Sequence, residues 1–179
     1  MIESFWENVN TAALRQGDYL PGCSIPVSDF YSPDYDENLG EEKQSLRVDI
    51  GLSDLIVITQ SCDLENQKAP LVAFCRIFTI SKFEEVNTSF TGKKWNEVRK
   101  GKVEGLHLLG SFSDPVDSRS ALVVDFRQIH SLPIAYVTHH ARSLGDRWRL
   151  RSPYLEHFAQ GFARFFMRVG LPSSIPEFK

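Results

Sequence analysis

Cysteine is scarce in this chain: Cys23, Cys62 and Cys75 are three in number, widely spaced and without a CxxC pair. An odd, scattered set argues against a disulfide framework and for a reducing, cytoplasmic setting. Long apolar runs are missing as well. The longest, Leu55 to Ile58 and Leu71 to Cys75, fall far short of the roughly 20 residues that cross a bilayer, so no membrane segment is expected. Glu3 and Glu7 stand where a secretory leader would carry positive charge, and export is not expected either. Glycine-rich phosphate loops, GxSxG elbows and HExxH are absent, which leaves nucleotide hydrolysis, serine hydrolysis and zincin chemistry without a motif. The five histidines and three cysteines lack ligand spacing, so neither a metal nor a cofactor is expected.

Aromatic residues, in contrast, are plentiful: 13 Phe, 5 Tyr and 3 Trp in 179 residues, with 42 % of the chain apolar. That is enough to build the core of one ordinary domain over residues 1–179 without covalent support. Charge is distributed unevenly. Residues 1–66 hold 13 acids and 3 bases, and residues 67–179 hold 10 acids and 17 bases. Two readings follow, mutual neutralisation of the halves or a basic face for an acidic partner.

The pattern predicts an α+β fold, a small SH3-like or partly open antiparallel β-barrel with a helix at each end. Ile2, Phe5, Trp6, Val9, Ala12 and Ala13 recur at helical spacing before Gly17, which predicts an N-terminal helix. Residues 17–27 read as an edge strand, because Pro21 and Gly22 break its ladder. Residues 28–45 are acidic and turn-rich and read as a long mobile loop, with Glu41 and Glu42 solvated. Strands are expected at 46–50, 54–60, 70–80, 106–109, 121–127, 134–138 and 147–150, with a helix at 93–100. The best-defined element is a helix at 152–170, capped by Ser152, begun by Pro153 and stopped by Gly170 and Pro172. Tyr154, Leu155, Phe158, Phe162, Phe165, Phe166 and Val169 fall on one core-facing stripe.

Three groups of residues are candidates for function. Arg142, Arg147, Arg149 and Arg151 form the strongest basic cluster, and strand alternation would set the last three in one row beside His139 or His140. Such a row suits phosphates or an acidic protein surface. His157, Gly161, Arg164 and Arg168 share a flank of the last helix, where the glycine admits either a ligand or the chain's own backbone. Cys62 and Asp63 end a buried strand, and with His139 or His140 as base they would make a nucleophilic site.

The Gln16-Gly17-Asp18 opening, followed by short strands and a closing helix, resembles the PemK/MazF-like toxin barrels. That resemblance implies an SH3-like barrel. The basic and Ser/Thr pattern of those ribonucleases is not matched here, so none of their catalytic residues carries over. The segments ITQSCDLEN and SPYLEHFAQGFARFFMRVGLP resemble a family of small, uncharacterised bacterial and phage-associated proteins, which implies a prokaryotic setting. The reading is a non-catalytic binding module of a bacterial multi-component system that engages a protein or nucleic acid through arginines. The alternative is a toxin-like ribonuclease or cysteine-dependent hydrolase. The oligomeric state is left open.

Overall fold

The β-branched and aromatic runs at 48–57, 71–79 and 122–133 pair into the centre of an open antiparallel sheet. A computed structural model describes residues 4–28, 48–113 and 120–167. Within these residues lie β1 (Trp6–Val9), β2 (Tyr19–Ser28), β3 (Val48–Val57), α1 (Ser61–Glu65), β4 (Leu71–Thr79), α2 (Ile80–Val86) and α3 (Gly92–Arg99). They are followed by β5 (Leu106–Leu109), β6 (Leu122–Pro133), α4 (Ile134–Leu144), β7 (Arg147–Leu150) and α5 (Tyr154–Phe166). Five strands form one sheet in the order β2-β3-β4-β6-β5, and β1 with β7 forms a two-stranded ribbon. The fold is α+β, as the pattern predicts, but the sheet does not close: β2 and β5 are its two edges. The expected barrel is therefore not formed. Strand β2 is the expected edge, with a register irregularity at Pro21 and Gly22 between Leu20 and Cys23.

Alternation along the strands divides the core. Leu55, Val57, Val72, Phe74 and Leu132 point to one face, where α1 and α4 supply Leu64, Val137 and Ala141. Further along that face α2 and α3 bury Phe83, Trp95 and Val98 against Val123 and Leu106. A break between these two packs follows from the β4–β6 ladder, where Cys75 pairs with Ile129 but Arg76 pairs with Asp125. The extra residues of β6 turn Arg127 and Gln128 back onto the buried Asp125 carboxylate. Burial raises the Asp125 pKa, but hydrogen bonds from Arg127 and Gln128 outweigh it and hold the group below its ordinary value.

The opposite face carries Ile56, Ile58, Cys75, Ile77, Val124 and Phe126, covered by the ribbon and α5. The α5 stripe behaves as its spacing predicts: Phe158 is fully buried, and Tyr154, Leu155, Phe162 and Phe165 pack around it. Each such side chain contributes about 1.5–3 kcal/mol on burial. Phe166 is half exposed yet touches Phe162 and Phe165. The helix starts later than expected. Pro153, not Ser152, holds its N-cap position, and no side chain caps it. Val169 and Gly170 lie outside the described residues.

Several elements differ from the sequence reading: the strands expected at 46–50 and 54–60 are the single strand β3, and helices α1 and α2 stand where no helix is expected. The expected N-terminal helix is strand β1, paired antiparallel with β7 from Trp6↔Leu150 to Val9↔Arg147. Trp6 decides this, because its ring is buried in the second core and its Nε1 donates to the Gly110 carbonyl at 2.8 Å. Long-range pairing here overrides a short helical period. Residues 134–138 are helix α4 and not a strand, since Ile134, Val137, Ala141 and Leu144 keep helical spacing against the first core.

His107 on β5 stacks on Phe126 beneath α5, and burial, with the nearby His157 second, pushes its pKa down to about 4. In the unfolded chain the same imidazole titrates near pH 6.5. Between pH 6.5 and 4 the unfolded state therefore takes up a proton that the fold refuses, and stability falls by on the order of 3 kcal/mol. Above pH 6.5 the group contributes nothing to the pH dependence. Thermal melts across this window should show the loss, and His107→Phe should reduce its slope; an unaltered slope would mean that the imidazole is not held neutral.

Candidate functional site

Strand alternation puts Arg147 and Arg149 on one side of β7, as the sequence predicts, but that side faces inward. Both guanidiniums converge on Asp18, which is fully buried at the mouth of β2. Arg147 Nε donates to Asp18 Oδ2 at 3.0 Å, and its two terminal nitrogens donate to the Thr11 and Ala13 carbonyls. Arg149 holds Asp18 through Nε and Nη2 and also reaches the Ala13 carbonyl at 3.0 Å. The expected exposed row thus reduces to Arg151 alone. The reason is electrostatic: a buried guanidinium is tolerated only with a counter-charge and filled donors, and Asp18 with two loop carbonyls supplies both.

Two cations share one carboxylate here, so this cluster carries an excess positive charge. It sits at the back of a small pocket of about 330 Å³ lined by Arg15, Arg149, Arg151, Glu7, Ser61 and Ser152. Arg149 Nη1 has no bond among the described residues, while no buried side-chain nitrogen there lacks a partner. Arg149 is the member of the cluster that also lines the pocket. The rim is fixed by Gln16, whose N–H donates to Ser61 Oγ and whose amide donates to the Ile58 carbonyl. Arg15 pairs with Glu65 at 2.9 Å, both half exposed, an interaction worth well under about 1 kcal/mol and easily exchanged. Arg15 and Glu7 were not signalled by the sequence as site residues, because the pocket is assembled from segments far apart in the chain.

The second candidate does not assemble. Cys62 is exposed in α1, with Sγ 3.6 Å from Gln60 Oε1 and 3.9 Å from Asp63 Oδ1, both acceptor oxygens. Neither histidine is a partner of Cys62 or Asp63. His140 Nε2 lies 2.8 Å from the Pro21 carbonyl and its ring stacks on Tyr136, which ties α4 to β2. His139 and Arg142 are exposed on α4 and line a different, larger cleft.

On α5 the glycine is explained from within. A Cβ at Gly161 would lie 3.0 Å from His107 Nδ1, so the close approach is made by the chain's own strand. His157 and Arg164 are exposed on that helix, and Arg168 lies outside the described residues, as does the acidic segment from Asp29 onward. No helix among the described residues is long and apolar enough to cross a membrane. No protein-family model matches this chain, and no curated protein matches it.

Removing the counter-charge should be costly. Asp18→Asn leaves two guanidiniums buried around a neutral amide and should destabilise the fold by about 3–5 kcal/mol, seen as a lowered urea midpoint with an unchanged slope. A shift below about 1 kcal/mol would mean that Asp18 is not the anchor. The cysteines offer a separate check. Burial first, then the carboxylates Asp54 and Asp125 respectively, push the thiols of Cys23 and Cys75 up to about 12. Iodoacetamide near neutral pH should label Cys62 alone in the folded protein, slowly and at the rate of an ordinary exposed thiol. A rate far above that of free cysteine would revive nucleophilic chemistry at Cys62.

Proposed function

We propose that this chain is a non-catalytic binding module that grips an acidic segment of a protein partner in the pocket of Arg15, Arg149 and Arg151. The observation that carries the reading is the excess buried charge of the Asp18 cluster, which meets the pocket at Arg149. A pre-paid, nearly immobile guanidinium loses little entropy on binding, and charge-assisted bonds to carboxylates are about twice as strong as neutral ones. Arg15 and Arg151 on the rim supply further donors, and their exposure leaves them free to adjust.

A protein partner is favoured over nucleic acid by the charge of the whole. The net charge of -3 and the strongly acidic first third oppose a long polyanion. A pocket of about 330 Å³ instead suits one or two carboxylates delivered side by side. The unpaired cysteines fit work in a reducing, cytoplasmic compartment.

Fluorescence anisotropy with a labelled oligo-aspartate peptide tests the proposal, with labelled oligothymidylate of equal charge beside it. The peptide should bind, weaken as salt rises, and lose at least about tenfold in affinity in the Arg15→Glu/Arg151→Glu double variant. Both positions lie at the rim, so the urea midpoint should stay in place. Undiminished peptide binding by the variant would refute the site, and a clear preference for oligothymidylate would replace the protein partner by nucleic acid.

A further inference from the structure

A concavity larger than the arginine pocket lies elsewhere, between α4, the connection from α1 to β4, and the segment 12–14, with a volume of about 620 Å³. Its floor is apolar, made chiefly by Leu14, Leu64 and Ile134 with alanines between them. One wall is polar: Thr138, His139 and Arg142 follow one another along α4, and all their hydrogen-bonding groups are strong donors or can serve as donors. No carboxylate lines the cleft. The Arg142 guanidinium has no hydrogen bond or ion pair among the described residues, where every salt bridge belongs to Arg15, Arg127, Arg147 or Arg149.

Two further features shape the space. Gln67, on the rim, has φ 52 and is the only non-glycine with positive φ among the described residues. That conformation closes α1: past the Asn66 C-cap, the Gln67 N–H donates to the Leu64 carbonyl and the Lys68 N–H to the Asp63 carbonyl, which fixes the turn that forms this side of the cleft. On the other side, the Thr11 and Ala13 carbonyls are taken up by the buried guanidiniums. The 12–14 wall therefore offers the cleft methyl groups and the Leu14 side chain, with Ala13 giving up its acceptor to the clamp.

We infer that this cleft is a binding site for a small organic carboxylate with an apolar body. The apolar floor receives the body, and the acid group is held by Arg142, with Thr138 and His139 beside it as further donors. The volume lies within the range of small-molecule pockets, and a lone exposed guanidinium at the end of an apolar cleft, with no acid lining it, selects for an anionic head. This inference does not rest on the arginine pocket across the wall.

Octanoate and 1-octanol, which share an apolar chain and differ in the acid group, are suitable probes for a titration followed by amide chemical shifts. Octanoate should bind saturably, with shifts centred on residues 12–14, 64–70 and 134–142, and at least about tenfold tighter than octanol. Arg142→Gln should remove that preference while leaving the unfolding midpoint unchanged. Ala135→Phe, at an exposed position on α4, should fill the cleft and abolish binding of both probes. Non-saturating shifts, shifts centred elsewhere, or octanoate binding that survives Ala135→Phe would overturn the site. Equal affinity for the two probes would overturn the role of Arg142 and the anionic class of ligand.

Discussion

A single carboxylate, Asp18, holds the parts of this molecule together. It lies at the start of β2, where its backbone carbonyl accepts from Val57, and its side chain faces β7, where it balances Arg147 and Arg149. The ribbon of β1 and β7 is joined to the central sheet through this point, since the Gly17 N–H donates to Val57 while the Gly17 carbonyl accepts from Leu150. Gly17 has φ +83, and a Cβ there would lie 3.0 Å from Leu150 Cβ and 2.9 Å from Leu155 Cδ1. Only glycine fits such a backbone at such a distance. The Gly-Asp pair is thus a physical unit: the glycine brings the strand against β7 and the aspartate neutralises what it meets there.

One acid of the first third, Asp18, meets Arg147 and Arg149 of the basic remainder, and that pairing is buried. Neutralisation is incomplete. Two guanidiniums against one carboxylate, completed by the neutral carbonyls of Thr11 and Ala13, leave positive charge that the fold confines to one small opening. In a protein interior such an excess is expensive to maintain, and its position beside Arg15 and Arg151 makes it the least ordinary feature of the electrostatics.

Much of the scaffold was legible because local and global signals agree. The α5 stripe, the core strands and the edge position of β2 follow from spacing, β-branching and proline placement alone. Where the reading failed, two periods competed over a short span. Phe5, Trp6 and Val9 fit a helix as well as a strand, and only the pairing of Trp6 with Leu150 and its bond to Gly110 settles the matter. Residues 134–138 are apolar enough for a strand, yet the spacing from Ile134 through Val137 and Ala141 to Leu144 is helical and was available in the sequence. The arginine row was located correctly on alternate positions, but burial of three charges depends on an aspartate 129 residues away from Arg147, which no local pattern contains. The pockets were illegible for the same reason, since their linings come from segments far apart in the chain.

The segment 12–16 is a wall shared by both concavities. Ala12, Ala13 and Leu14 face the larger cleft, and Arg15 and Gln16 face the smaller pocket. This stretch lies outside the strands and helices, so its shape is set by side-chain bonds: Arg15 N–H to Asp18, the Ala13 carbonyl to both buried arginines, and Gln16 to Ser61 and Ile58. A change at Asp18, Arg147 or Arg149 therefore moves both walls at once and cannot distinguish a lost ligand contact from a lost scaffold. The residues that separate these effects are the ones the clamp does not use, Arg15 and Arg151 on one side and Arg142 on the other, because their exposed guanidiniums carry charge to a cavity without carrying the fold.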